Sequence, residues 1–228
     1  MELEDLKAIA QDCRDEEKND HIYVILSSTP LIMGLLIRAV TNYKYNHVSL
    51  ALSEDIPRMY AFARHYYSAP LCGGFVTESP KRYESHGRYG FVKVFALPVP
   101  GRVASAVSEL FKDMTENNER YLYNMFSAVR ILTKKRVKIK NCYTCAEFGA
   151  DLIGCAVPEA GITPGRFYTI EQIDTILTDY LFFEGTVEAF VKNAAWENDK
   201  FPLKLPLYRA AAYTIRSNAR LIKRFIFK

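Results

Sequence analysis

The sequence predicts an α+β protein, on three observations. A Val- and Ile-rich run at 21–28 is followed by several short strand candidates separated by turn formers. After Pro98 and Pro100 the pattern changes to helical periodicity. The connections between the strand candidates are short, which favours antiparallel pairing, so the expected architecture is an antiparallel sheet packed against helices. With 228 residues, 49% of them hydrophobic, the chain can bury one sizeable core.

Taken in order, residues 1–20 form an acidic, polar N-terminal segment, unlike the basic-then-apolar opening of a signal peptide. The main domain is expected over 21–200, beginning with a buried strand at 21–28. Thr29 suits a helix cap and Pro30 a first helical position, which predicts a helix through Val40. That apolar run already contains Arg38 and is about half of the roughly 20 residues a membrane span needs. Further strands are predicted at 47–52, 58–64, 74–78 and 89–97, between turn formers such as Asp55, Pro57, Gly73, Pro80 and Gly87. Helices are predicted at 103–116, 119–132, 144–154, 170–178 and 185–193. Residues 201–228 read as a basic, amphipathic C-terminal extension.

A net charge of +4 is too small to imply a nucleic-acid partner, but its distribution is uneven. Arg130, Lys134, Lys135, Arg136, Lys138 and Lys140 form an acid-free cluster, either a solvated loop or an anion-attracting rim. The tail from Arg209 carries basic residues and no acids, interleaved with Tyr213, Ile215, Leu221, Ile222, Phe225 and Ile226. Such a helix either packs its apolar stripe on the domain or lies on an anionic membrane surface. Five cysteines, an odd number without regular spacing, point to reduced thiols and a cytoplasmic location.

The chemistry is concentrated at two places. In the run from Asn141 to Phe148, Thr144 can cap a helix and Glu147 can complete a capping box, which puts Cys145 at the first helical position. Unpaired amides and the helix dipole there stabilise a thiolate. His47 opens the predicted strand at 47–52 and is the candidate base. Taken alone, either residue also has an ordinary structural reading, since cysteine is among the most buried residue types. His21, His65 and His86 have no comparable setting and read as structural.

The order of these parts resembles the permuted branch of the NlpC-like papain superfamily, and the related lecithin:retinol acyltransferase-like proteins. The resemblance spans roughly residues 21–155. It rests on the strand and Ser28-Thr29-Pro30, on Leu36-Ile37-Arg38, on Asn46-His47-Val48-Ser49-Leu50, and on Thr144-Cys145-Ala146-Glu147-Phe148. It implies a circularly permuted papain-like fold, with Cys145 as nucleophile and His47 as base, and a hydrolase of amide or ester bonds that works through a thioester. A cell-wall-peptide-like peptidase or amidase is one form of this activity, and a lipid-directed acyltransferase or thioesterase the alternative. The substrate is then a peptide or an acylated small molecule, with no cofactor. The resemblance also implies a third polar residue, on the strand after the histidine strand, that orients the imidazole. Ala61 or Phe62 stands at that place, so Tyr60, Glu78 or a backbone carbonyl must substitute, or the chain is a non-catalytic binding module.

Cys142 and Cys145 also spell Cys-x-x-Cys before a helix, the arrangement of thiol-disulfide oxidoreductases. Those proteins place the pair early, after the first strand of a βαβ unit, whereas here it follows five strand candidates. No second Cys-x-x-Cys or His-x-x-x-His is present to complete a zinc site, so no metal is expected.

Overall fold

The structure is a computed structural model that describes residues 1–29, 38, 41–85, 87–129 and 135–227. In chain order these form α1 (Leu3–Asp12), β1 (Asp20–Ser27), β2 (His47–Ala51), β3 (Met59–Arg64), β4 (Gly73–Glu78), β5 (Glu84–Ser85), β6 (Arg88–Tyr89) and β7 (Phe91–Val99). There follow α2 (Gly101–Glu116), β8 (Leu122–Tyr123), α3 (Met125–Val129), β9 (Cys142–Tyr143), α4 (Cys145–Ala156), α5 (Ile170–Ile176), β10 (Leu181–Thr186), α6 (Glu188–Val191) and α7 (Leu207–Ile226). The α+β class and the antiparallel sheet expected from the sequence are both present.

Six strands form one sheet in the order β10-β7-β1-β2-β3-β4, every neighbouring pair antiparallel. The run Ile22-Tyr23-Val24-Ile25-Leu26 is apolar throughout because β1 lies inside the sheet and both its faces are covered. On one face Val24, Leu26, Val48, Leu50, Phe62 and Phe75 pack against α1, α2 and α4. On the other, Tyr23, Ile25, Ala51 and Met59 meet Tyr83, Val187 and Val191 in a second, smaller core. The acidic N-terminal segment is part of the main core: Leu6, Ala10 and Cys13 of α1 are buried in it.

Two predicted helices are corrected. Of the helix expected at 119–132, the described part up to Val129 is a 3-10 turn at Asn118–Arg120, then β8, with helix only at Met125–Val129 (α3). The side chain of Asn117 folds back onto the Asp113 carbonyl as α2 ends, and Leu122–Tyr123 then pair in parallel with Cys142–Tyr143, a long-range contact that overrides local periodicity. The helix expected at 185–193 shortens to Glu188–Val191, because 181–186 join β7 as an edge strand. The helix predicted from Thr29 to Val40 falls almost wholly outside the described residues, as do His86, Arg130 and Lys134.

Helix α4 lies close enough on β2 that a side chain at Gly149 would place its Cβ 2.8 Å from Val48 Cγ1. Gly149→Ala should therefore destabilise the fold by about 1–3 kcal/mol through overpacking. In urea denaturation, Gly149→Ala combined with Val48→Ala should lose less than the two single variants add up to; simple additivity would refute this account of the contact.

Candidate active site

Thr144 caps α4 with its hydroxyl on the Glu147 amide, and the Glu147 carboxylate accepts from the Thr144 amide at 2.9 Å, so the capping box forms. Cys145 is thereby fixed as the first helical residue. The Glu147 amide is taken by the cap, and the Phe148 amide is the first to reach a helical carbonyl, that of Thr144. The amides of Cys145 and Ala146 thus belong to the turn in which a helix offers unsatisfied donors.

His47 begins β2, directly cross-strand from Ser27, and its ring bridges two groups. One is the thiol of Cys145, near enough to raise the pKa of the ring. The other is Glu78, at the end of β4, whose Oε2 lies 3.0 Å from His47 Nε2. Of the two orienting residues considered from the sequence, the structure brings Glu78 to the imidazole and not Tyr60. The Tyr60 ring stacks on Phe111 at 4.3 Å between centroids, in the core on the helix side. Alternation along the strands explains the difference: Glu78 sits opposite Met59, which faces the second core, whereas Tyr60 points the other way.

Glu78 is the hub of the site. Its Oε2 also accepts from the hydroxyls of Ser49 and Tyr83, each at 2.8 Å, and its Oε1 faces Arg82 at 3.3 Å. Arg82 in turn forms a two-pronged pair with Asp199, at 2.7 and 2.5 Å, and donates to the Arg64 carbonyl. Asp199 is held by the amides of Ser79 and Phe201, and the Phe201 ring lies under the guanidinium, 4.6 Å away. Asp199, Arg82, Glu78, His47 and Cys145 form a buried row of alternating charge.

The electrostatics follow from that row. Burial lowers the pKa of His47, but the Glu78 carboxylate and the Cys145 sulfur outweigh it by charge and hydrogen bonding, and the value rises to about 10. Burial likewise raises the pKa of Cys145, but His47 and the Val48 amide overcome this, and the thiol falls below the ordinary cysteine range although Glu78 opposes it. Burial works against ionised Glu78 too; His47, Arg82 and Ser49 reverse the effect and hold it at about 2. These directions favour a thiolate–imidazolium pair at neutral pH. Tyr123, delivered by β8, lines the site with Cys145, and burial raises the pKa of its hydroxyl well above the ordinary tyrosine range, so it stays protonated.

A cavity of about 400 Å³ opens in front of the thiol. Pro70, Leu71, Met125, Val129, Phe167 and Ile170 contribute to its lining, as do the site residues His47, Glu78, Arg82, Tyr123 and Cys145. Residues 65–88, long enough on sequence grounds for a substrate-facing loop, contribute several of these groups. Sequence reasoning missed Arg82, Tyr83, Tyr123 and Asp199. The segment from Glu78 to Tyr83 carried a weak signal, since Ser79-Pro80 marks a turn that returns charged residues toward the strand end.

The other singled-out residues lie elsewhere. Cys142 sits in a separate apolar cluster, donates to the Lys140 carbonyl and has its pKa raised by burial, and all five cysteines are free thiols. Arg136 is not a rim charge: it forms a two-pronged pair with Asp151 at 2.8 and 2.6 Å. His65 is neutral, its pKa lowered to about 4 by burial and by the charges of Arg82 and Lys200. Among the described residues, no group of three or more His, Cys, Asp or Glu side chains could hold a metal ion, and no helix is long and apolar enough to cross a membrane. No protein-family model, curated protein or solved structure matches the chain.

The shifts set the pH response. The raised pKa of His47 contributes stability that is fully present below about pH 6.5 and is lost as the pH rises through about 10. The depressed pKa of Glu78 contributes stability present above about pH 4.5 and lost as the pH falls through about 2. Denaturation midpoints of wild type should therefore fall in both windows, and His47→Ala should flatten the alkaline one. An alkaline limb identical in the two proteins would contradict the assigned ion pair.

Proposed function

We propose that the protein is a cysteine-dependent acyl-transfer enzyme, a hydrolase of ester or amide bonds on a papain-like, circularly permuted fold. The observation that carries this reading is the series Cys145–His47–Glu78, with the imidazole held by Glu78 and the thiol at a capped helix start, in front of a cavity. The binding-module alternative was motivated by an imidazole without an orienting partner, and Glu78 removes that motive. Free thiols in different apolar clusters argue against a redox pair of Cys142 and Cys145. A reduced nucleophile also fits the cytoplasmic location expected from the cysteine pattern.

In the proposed reaction the Cys145 thiolate attacks the substrate carbonyl carbon, and a carbon–sulfur bond forms as the carbonyl π electrons move to oxygen. The amides of Cys145 and Ala146 and the Tyr123 hydroxyl are the donors available to that oxyanion. As the intermediate collapses, imidazolium His47 gives its proton to the leaving amine or alkoxide, and a thioester remains. Neutral His47 then takes a proton from water, whose oxygen attacks the thioester; the acid leaves, and the sulfur departs as thiolate beside a reprotonated His47. Glu78 fixes the ring throughout and stabilises its charged form.

A second reading, favoured by the apolar lining from Pro70, Leu71, Met125 and Val129, is that the acyl group is a hydrocarbon chain, which makes the enzyme a thioesterase or lipid-directed acyltransferase. Intact-mass spectrometry after incubation with activated acyl esters and with peptide amides tests both readings. An acyl adduct should form on Cys145 and be absent in Cys145→Ala, and Tyr123→Phe should slow its formation about a hundredfold. Octanoyl esters should acylate faster than acetyl esters if the chain occupies the cavity. Absence of any adduct on Cys145 would remove the catalytic reading, and faster reaction with peptide amides would remove the lipid one.

A further inference from the structure

Helix α7 turns a second apolar stripe away from the domain. The positions that face the domain are Ala210, Thr214, Ser217 and Leu221, with Arg220 and Arg224 at their side. These arginines donate to main-chain carbonyls, Arg220 to Glu119 and Arg224 to Arg120 at 2.8 Å, and Asn218 donates to the Leu71 carbonyl at 3.1 Å. Four apolar residues point outward: Tyr208, Ile215, Ile222 and Ile226 are 68, 69, 47 and 64% exposed, whereas Leu221 is buried and Tyr213 and Phe225 pack on Tyr66 and Phe126. At helical spacing these four lie on one stripe, extended by Ala212 and Ala219. Arg209, Arg216 and Lys223 run alongside its edge, and no acidic residue occurs after Asp199.

We propose that the outward face of α7 is a docking surface for an anionic lipid bilayer. An exposed apolar stripe bordered by a cationic ridge is the pattern that lets a helix lie in the interface, apolar side among the acyl chains and basic side at the headgroups. The acid-free charge of the whole segment selects an anionic surface over a neutral one. Among the described residues no helix could span the bilayer, so the contact is made by a helix lying on it. Docking is a property of α7 alone and does not depend on the reactivity of Cys145.

Co-sedimentation of the full-length protein with vesicles of phosphatidylcholine, with and without phosphatidylserine, tests this, alongside sedimentation velocity without lipid. The protein should partition onto phosphatidylserine vesicles, at least tenfold less onto neutral ones, and should be released as salt rises. Ile215→Asp with Ile222→Asp should reduce binding at least tenfold, and Arg216→Glu with Lys223→Glu should reduce it with a weaker salt dependence. Circular dichroism checks that the variants keep the wild-type fold, and because all four positions are outward they should. Equal binding to both vesicle types, no binding at low salt, or binding untouched by either pair would overturn the proposal. So would a dimer in solution that Ile215→Asp with Ile222→Asp dissolves, since the stripe would then belong to a second copy of the chain.

Discussion

Everything in the site depends on one buried carboxylate. Glu78 is almost wholly withdrawn from water, and an isolated carboxylate there would cost several kcal/mol. It stays ionised because Arg82 faces one oxygen while Ser49, Tyr83 and His47 occupy the other. Arg82 is itself buried and would attract the carboxylate away from the imidazole, but Asp199 takes two prongs of the guanidinium and leaves only a longer contact of 3.3 Å to Glu78. A residue more than a hundred positions away in sequence thus helps set the charge of His47. The alternation of sign from Asp199 to Cys145 means that deleting any inner member leaves two like charges as neighbours, so the row is expected to respond as a unit.

The sheet divides the labour of the site between its faces. Helix α4 brings Cys145 from the side of the larger core, while Ser49, Glu78 and Tyr83 belong to the opposite face. His47 can serve both because it is the first residue of β2, at the strand's end. The sharp approach of α4 to β2 at Gly149 keeps the helix start, and so the thiol, within reach of that end; the Val48 amide, on the same stretch of β2, helps lower the pKa of the thiol.

What could be read from the sequence was what is local in it. The capping box around Thr144 and Glu147, the strand opening at His47 and the buried run of β1 each depend on neighbouring residues, and each formed as its residue types dictate. Glu78 was visible only as one candidate beside Tyr60, because choosing between them requires knowing which face of β3 and β4 meets the imidazole. Arg82, Asp199 and Tyr123 were out of reach for a stronger reason. Asp199 enters through a contact spanning 117 residues, and Tyr123 depends on a parallel pair, β8 with β9, in a stretch whose spacing read as helix. The orientation of α7 was hidden likewise, since amphipathicity marks an apolar stripe without saying which side faces the protein.

That orientation ties the two ends of the molecule together. Small inward side chains at Ala210 and Ser217 let the α7 backbone come close to the domain, and the long arginines then reach carbonyls beyond the contact. Arg220 and Arg224 hold Glu119 and Arg120, just before β8, and Arg224 also approaches the Lys140 carbonyl just before β9. These two strands carry Tyr123 to the thiol and lead into Thr144 and Cys145. The helix that carries the outward apolar stripe is therefore also the brace behind the segment that shapes the surroundings of Cys145. Its contact with Leu71 and the packing of Phe225 on Phe126, 4.7 Å between rings, set it beside residues at the cavity wall. A surface bound to the outer side of α7 would lie one helix away from that wall.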